Sequence, residues 1–125
     1  MVTDKIKILH VEDDLDIQEV AKLSLEVFGD FEVKQCASGK EALEFAKGYI
    51  ADILLLDVMM PEMSGEIVLK HLRELPNYQE TPAIFMTARA QKDEVAALKA
   101  LGAVDVIVKP FDPTTLAAEI TKAIS

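Results

Sequence analysis

Six polar side chains fall at or just past the ends of short apolar runs. They are Glu12, Asp13 and Asp14 after Ile6–Val11, Asp57 after Ile53–Leu56, Thr87 closing Ala83–Thr87, and Lys109 after Val104–Val108. If the first and third runs are neighbouring strands, the acids converge. Unpaired, such carboxylates repel one another and some of their pKa values rise. A hard divalent cation resolves that conflict, and Mg²⁺ suits a few carboxylates plus a carbonyl and waters. One cysteine and two distant histidines make no zinc site. Asp57 ends an apolar strand and is followed by Val58-Met59-Met60-Pro61, so it needs a cation from elsewhere in the fold. Lys109 can supply one, and a lysine facing acids and a metal would clamp a transferring phosphoryl group. Thr87 would lie between them, whereas Asp14 reads as a helix N-cap.

The elements that must position these residues alternate. Five apolar runs read as strands: Ile6–Val11, Phe31–Cys36, Ile53–Leu56, Ala83–Thr87 and Val104–Val108. After the first, Ile17, Val20, Ala21, Ser24 and Phe28 recur at helical spacing, and Gly29 closes that helix. Ser38 with Glu41 forms a capping box, and Ala42, Leu43, Ala46, Tyr49 and Ile50 continue an apolar stripe. Ser64 opens a third helix bearing Val68, Leu72 and Leu75, which Pro76 stops. A fourth runs from Lys92 to Leu101, ended by Gly102. Asp112 as N-cap and Pro113 in the first turn open the last, which buries Leu116, Ile120 and Ala123. Strand–helix units too long for hairpins imply parallel strands with right-handed crossovers, hence a three-layer α/β sandwich. Ile53–Leu56 and Ile84–Met86 are continuously apolar, as central strands are. Phe31–Cys36 alternates, as an edge strand does. In such a sheet, ligands bind beyond the carboxyl ends of the strands, where the six residues stand.

The chain has 125 residues, about one domain's worth, and no linker or repeat divides it. Thirteen basic against 22 acidic residues give a net charge of −9, which disfavours nucleic acid and anionic membranes as direct partners. No apolar run approaches the roughly 18 residues of a membrane span. Met1–Lys7 carries no signal-peptide pattern, and Cys36 has no disulfide partner, so the expectation is a soluble, cytoplasmic protein. His10 and Cys36 read as core or boundary residues and His71 as surface. Met59, Met60, Met63 and Met86 read as packing.

In order and context, the motifs closely resemble those of the CheY-like receiver domains of two-component response regulators. The likeness rests on Glu12-Asp13, on Asp57 with Met60-Pro61-Glu62-Met63-Ser64-Gly65, on Thr87-Ala88 and on Lys109-Pro110-Phe111, and it spans essentially residues 1–125. It implies a (βα)5 flavodoxin-like fold with strand order 2-1-3-4-5. It further implies that Asp57 accepts a phosphoryl group from a phosphohistidine and that Glu12, Asp13, Asp57 and the Met59 carbonyl hold Mg²⁺. Lys109 and Thr87 would contact the phosphoryl group, across a cis Lys109–Pro110 bond. The implied partners are a histidine kinase or histidine phosphotransfer protein, then a downstream target or an output domain outside this chain. The responding surface would be helix four, strand five and helix five, through which a homodimer could also form. Many receivers carry Tyr or Phe three residues before the lysine. Here Val106 stands there, which leaves the loop from Ala88 to Ala90 as the expected relay. Met59 and Arg89 occupy positions that tune dephosphorylation in the family.

Two other readings compete. Asp14-Leu15-Asp16 after the first strand could serve a haloacid-dehalogenase-like phosphatase, but it comes too early and leaves no residues for a cap. A flavin-binding or purely structural flavodoxin-like module would want a phosphate-cradling loop after strand one, where Glu12-Asp13-Asp14 has the wrong charge. Phosphorylation that persists in Asp57→Asn would favour the first, and a flavin colour the second.

Overall fold

The computed structural model describes residues 5–125; the first four positions of the expected non-signal start lie outside the described residues. The elements alternate as β1 (Ile6–Val11), α1 (Leu15–Phe28), β2 (Phe31–Cys36), α2 (Gly39–Ala46), β3 (Ile53–Asp57), α3 (Gly65–Leu72), β4 (Ala83–Thr87), α4 (Lys92–Ala100), β5 (Asp105–Val108) and α5 (Leu116–Ile124). A 3₁₀ turn, Pro76–Tyr78, follows α3. All strand pairs are parallel, in the order β2-β1-β3-β4-β5. β3 and β4 are buried throughout and β2 alternates at the edge, as their apolar patterns predict.

The sheet divides two cores. Leu9, Val11, Leu54, Leu56 and Phe85 pack against Ala42, Val68, Leu72 and Leu98 from α2, α3 and α4. On the opposite face Ile8, Ile53, Leu55, Ile84 and Met86 meet Ala21, Leu25, Leu116 and Ile120 from α1 and α5. Three layers result, and among the described residues no helix is long and apolar enough to cross a membrane.

Helix phases or ends differ from the sequence reading in four places, one being α3, which ends at Leu72, so that Leu75 lies past it and Pro76 opens the 3₁₀ turn instead of stopping the helix. On α1 the buried residues are Ala21, Ser24 and Leu25, while Val20 and Phe28 are exposed. The helix carries apolar residues around its whole circumference, so hydrophobicity alone cannot fix its rotation. Small residues settle it, because Ala21 and Ser24 allow close approach and the Ser24 hydroxyl donates to the Pro113 carbonyl. α2 ends at Ala46, so Tyr49 and Ile50 lie past it, with Ile50 exposed. α5 starts at Leu116 with Thr115 as its cap. Asp112 instead closes the preceding turn by accepting from Thr114 N at 2.8 Å and Thr114 Oγ1 at 2.7 Å.

Candidate functional site: an acidic pocket at the carboxyl edge of the sheet

β1 and β3 are neighbours in register, with Val11 opposite Leu56. The next residue of each strand, Glu12 and Asp57, therefore stands at the same edge. One oxygen each from Glu12, Asp13 and Asp57 lies within 4.8 Å of the others. Glu12 and Asp57 are 1% and 3% exposed, a degree of burial at which two carboxylates cannot both stay charged without a cation. Lys109 reaches across from β5, its Nζ 2.8 Å from Glu12 Oε1 and 2.9 Å from Asp57 Oδ1. Its backbone N–H donates to the Thr87 carbonyl at 2.8 Å, and the Lys109–Pro110 bond is cis, as the resemblance implied.

One lysine shared between two acids leaves an imbalance. Burial, then Asp57, push the Glu12 carboxyl up to about 7 against the opposing pull of Lys109. Burial works against the Lys109 charge, but its contacts with Glu12 and Asp57 outweigh that and hold its pKa above the usual lysine value. Glu12 Oε1 is buried, and the partner it meets among the described residues is Lys109 Nζ. Three acids gathered within 4.8 Å against a single lysine leave an excess of negative charge that fits a hard divalent cation.

The pocket at this edge has a volume of about 200 Å³ and is lined by Glu12, Asp13, Asp57, Thr87, Ala88 and Lys109 among others. Thr87 is buried, and its Oγ1 accepts from the Arg89 backbone N–H at 3.0 Å. Thr87 and Met59 also line a groove of about 640 Å³ running toward α4. Met59 is 63% exposed beside the pocket, which corrects its reading as a packing residue; Met86 is fully buried. The β3–α3 loop is held by Val58 N donating to Met86 O and Gly65 N donating to Val58 O, both at 3.0 Å. Asp14 stands apart in role: its Oδ1 accepts from Asp16 N at 2.9 Å and Ile17 N at 3.2 Å and caps α1. Val106 is half-buried against the α2–α4 core.

Beneath the pocket the sequence reading passed over two polar residues, Gln18 and Gln35, and His10 is the core residue it was read as. His10, fully buried on β1, faces Gln35 on β2, which in turn donates to the Gln18 carbonyl of α1. The sequence signals were slight: a histidine inside the apolar stretch of β1, and Gln35 falling at an inward position of the alternation in β2. Burial, then the Lys109 charge, lower the His10 pKa from 6.5 to about 3. The folded protein thus keeps a neutral imidazole where the unfolded chain takes up a proton. Stability from this residue is complete above 6.5 and is lost as pH falls toward 3, by up to about 1.4 kcal/mol per pH unit. His10→Leu removes that contribution to the pH dependence. In urea unfolding, the stability of wild type relative to His10→Leu is expected to fall steadily from neutral pH to about 4.5; a constant difference would refute the assignment.

Comparison with known proteins bears on this geometry. Residues 8–121 match the family model described as the response regulator receiver domain, and the chain belongs to that family. Response regulator SaeR of Staphylococcus epidermidis is 37% identical over 87% of this chain. Transcriptional regulatory protein YvrH of Bacillus subtilis is 39% identical over 90%. Each alignment covers 46% of the relative, so the chain spans about half the length of these curated proteins. Chemotaxis response regulator CheY4 of Vibrio cholerae has a solved structure with a TM-score of 0.89. It is 32% identical, with 96% of this chain and 99% of that one covered. The family and the strand order together make this a CheY-like receiver fold of two-component signalling.

Proposed function

We propose that residues 1–125 form one receiver domain whose Asp57 accepts a phosphoryl group from a histidine kinase or histidine phosphotransfer protein. The observation that carries this reading is Lys109 spanning two buried carboxylates, with a third acid, Asp13, gathered beside them. Glu12, Asp13, Asp57 and the Met59 carbonyl would hold Mg²⁺, which when bound neutralises charge on the oxygens of the transferring group. Lys109 engages Asp57 Oδ1 and orients the carboxylate, leaving Oδ2 to attack phosphorus. An O–P bond forms, the P–N bond of the phosphohistidine breaks, and the leaving imidazole takes a proton from water. Lys109 then pairs with the phosphoryl oxygens. Thr87 exchanges its bond with Arg89 N for one to the same group, which pulls on the loop leading to α4. Val106 packs in the core and offers no ring to swing, so the 88–90 loop carries the change.

The protein would act in the cytoplasm by binding and not by turnover, catalysing only its own phosphorylation and dephosphorylation. Its α4–β5–α5 surface would meet a downstream target, an output domain beyond this chain, or a second copy. Intact-mass spectrometry after incubation with acetyl phosphate tests the proposal. A gain of one phosphoryl group is expected in wild type with Mg²⁺, and none in Asp57→Asn or without the metal. A gain that survives in Asp57→Asn would move the acceptor elsewhere, Asp14 being the first place to look.

A further inference from the structure

The residue carrying the most buried acid of the pocket is held by its backbone on both sides. Glu12 N donates to the Cys36 carbonyl at 3.0 Å. Its own carbonyl accepts from Gln18 Nε2 at 2.6 Å, and the same nitrogen lies 3.4 Å from the Cys36 carbonyl. Gln18 thus straddles the ends of β1 and β2 from α1. Behind it, Gln35 Nε2 donates to the Gln18 carbonyl at 2.6 Å and lies 3.1 Å from His10 Nδ1. A backbone carbonyl can only accept, so the Gln35 amide must present its nitrogen there, and that nitrogen's second hydrogen goes to Nδ1. His10 is therefore an acceptor at Nδ1 with its proton on Nε2, and Nε2 is buried without a partner among the described residues. An orphaned buried donor is unfavourable. An apolar residue at position 10 would avoid that cost, so retaining histidine there is best explained by the acceptor it gives Gln35.

We infer that Gln18, Gln35 and His10 are positioning residues for the metal site: a strut from β1 through β2 to α1 that fixes the Glu12 peptide and with it the direction in which Glu12 and Asp13 present their carboxylates. This rests on the reading of the acidic pocket as a Mg²⁺ site. Residues that orient ligands without touching the metal carry much of its affinity, because a mobile ligand must be ordered when the ion binds. The strut acts on binding and not on the transfer step, since none of its side chains reaches the pocket lining.

Titration calorimetry with MgCl₂ on wild type and three variants tests this. Gln18→Leu is expected to weaken Mg²⁺ binding about tenfold, while the labelling rate with acetyl phosphate at saturating Mg²⁺ stays within about twofold of wild type. A purely structural role would lower the melting temperature and leave the affinity unmoved. Gln35→Leu, which removes only the support behind Gln18, is expected to weaken binding in the same direction. It keeps the test open if Gln18→Leu does not fold. His10→Asn offers Gln35 an acceptor oxygen and should retain wild-type affinity. Folded Gln18→Leu and Gln35→Leu with unchanged Mg²⁺ affinity would overturn the inference and leave the site's function intact. A wild type that binds no Mg²⁺ would overturn both.

Discussion

Gly65→Ala is expected to destabilise the protein by about 3 kcal/mol, the upper end of what overpacking costs, and to slow acetyl phosphate labelling. Gly65 opens α3 where the helix meets the loop that follows Asp57, and its N–H donates to the Val58 carbonyl at 3.0 Å. A Cβ at this position would overlap the Asp57 carbonyl oxygen and sit 2.9 Å from the Asp57 carbonyl carbon and 3.2 Å from Val58 Cα. All three are backbone atoms of the segment that places the acceptor, so no side chain can rotate away to make room. Either α3 shifts outward and loses contact through Val68 and Leu72, or the loop shifts and moves Asp57 and the Met59 carbonyl. Gly48→Ala is the control: nothing lies within 4 Å of its added methyl, and the change is expected to be neutral or slightly stabilising through the unfolded chain. Urea unfolding of the two variants decides the matter, and equal stabilities would mean that the close approach at Gly65 carries no energetic weight.

The same loop marks where sequence reasoning stops. Strand ends were legible because β3 and β4 are unbroken apolar runs, and a polar residue closing such a run is conspicuous; that is how Asp57 and Thr87 stood out. Pairing Glu12 with Asp57 needed only the adjacency of β1 and β3, which strand order supplies. Gly65 could be read as part of a motif, but its reason is a distance across a loop, and composition carries no distances. The rotation of α1 was equally hidden. Leu15, Leu23 and Val27 are exposed on it while Leu25 is buried together with the small Ala21 and Ser24, so hydrophobicity alone did not mark the inner face. The strut of Gln18, Gln35 and His10 depends on the β1–β2 register, which sets His10 opposite Gln35 and would be lost by a slip of one residue. Periodicity within an element is written locally; which residues face one another across elements is not.

Lys109→Met should separate the lysine's two roles. Without its charge, Glu12 and Asp57 share a buried site with no cation, and breaking such an arrangement costs about 3 kcal/mol near pH 8. Burial and Asp57 already raise the Glu12 carboxyl to about 7 with Lys109 opposing them, so its removal raises it further. A carboxyl whose folded pKa exceeds its unfolded value binds more protons folded than unfolded, and stability then falls as pH rises between the two. Wild-type Glu12 itself titrates only near 7, so the penalty of Lys109→Met is expected to be flat between pH 5 and about 7 and to grow by up to about 1.4 kcal/mol per pH unit from there toward pH 8. Mg²⁺ supplies the missing positive charge: at about 100 times its dissociation constant it should return about 2.7 kcal/mol and remove most of the pH dependence. Phosphorylation should not recover with it. A lysine that stabilises charge on the transferring group is a different requirement from one that neutralises resting carboxylates, and losing the former slows transfer by about 100-fold or more. Unfolding curves at several pH values, with and without Mg²⁺, read the first role, and labelling rates at saturating Mg²⁺ read the second. A variant restored in both by the metal would reduce Lys109 to a counter-ion, and the phosphoryl contact assigned to it would have to be given up.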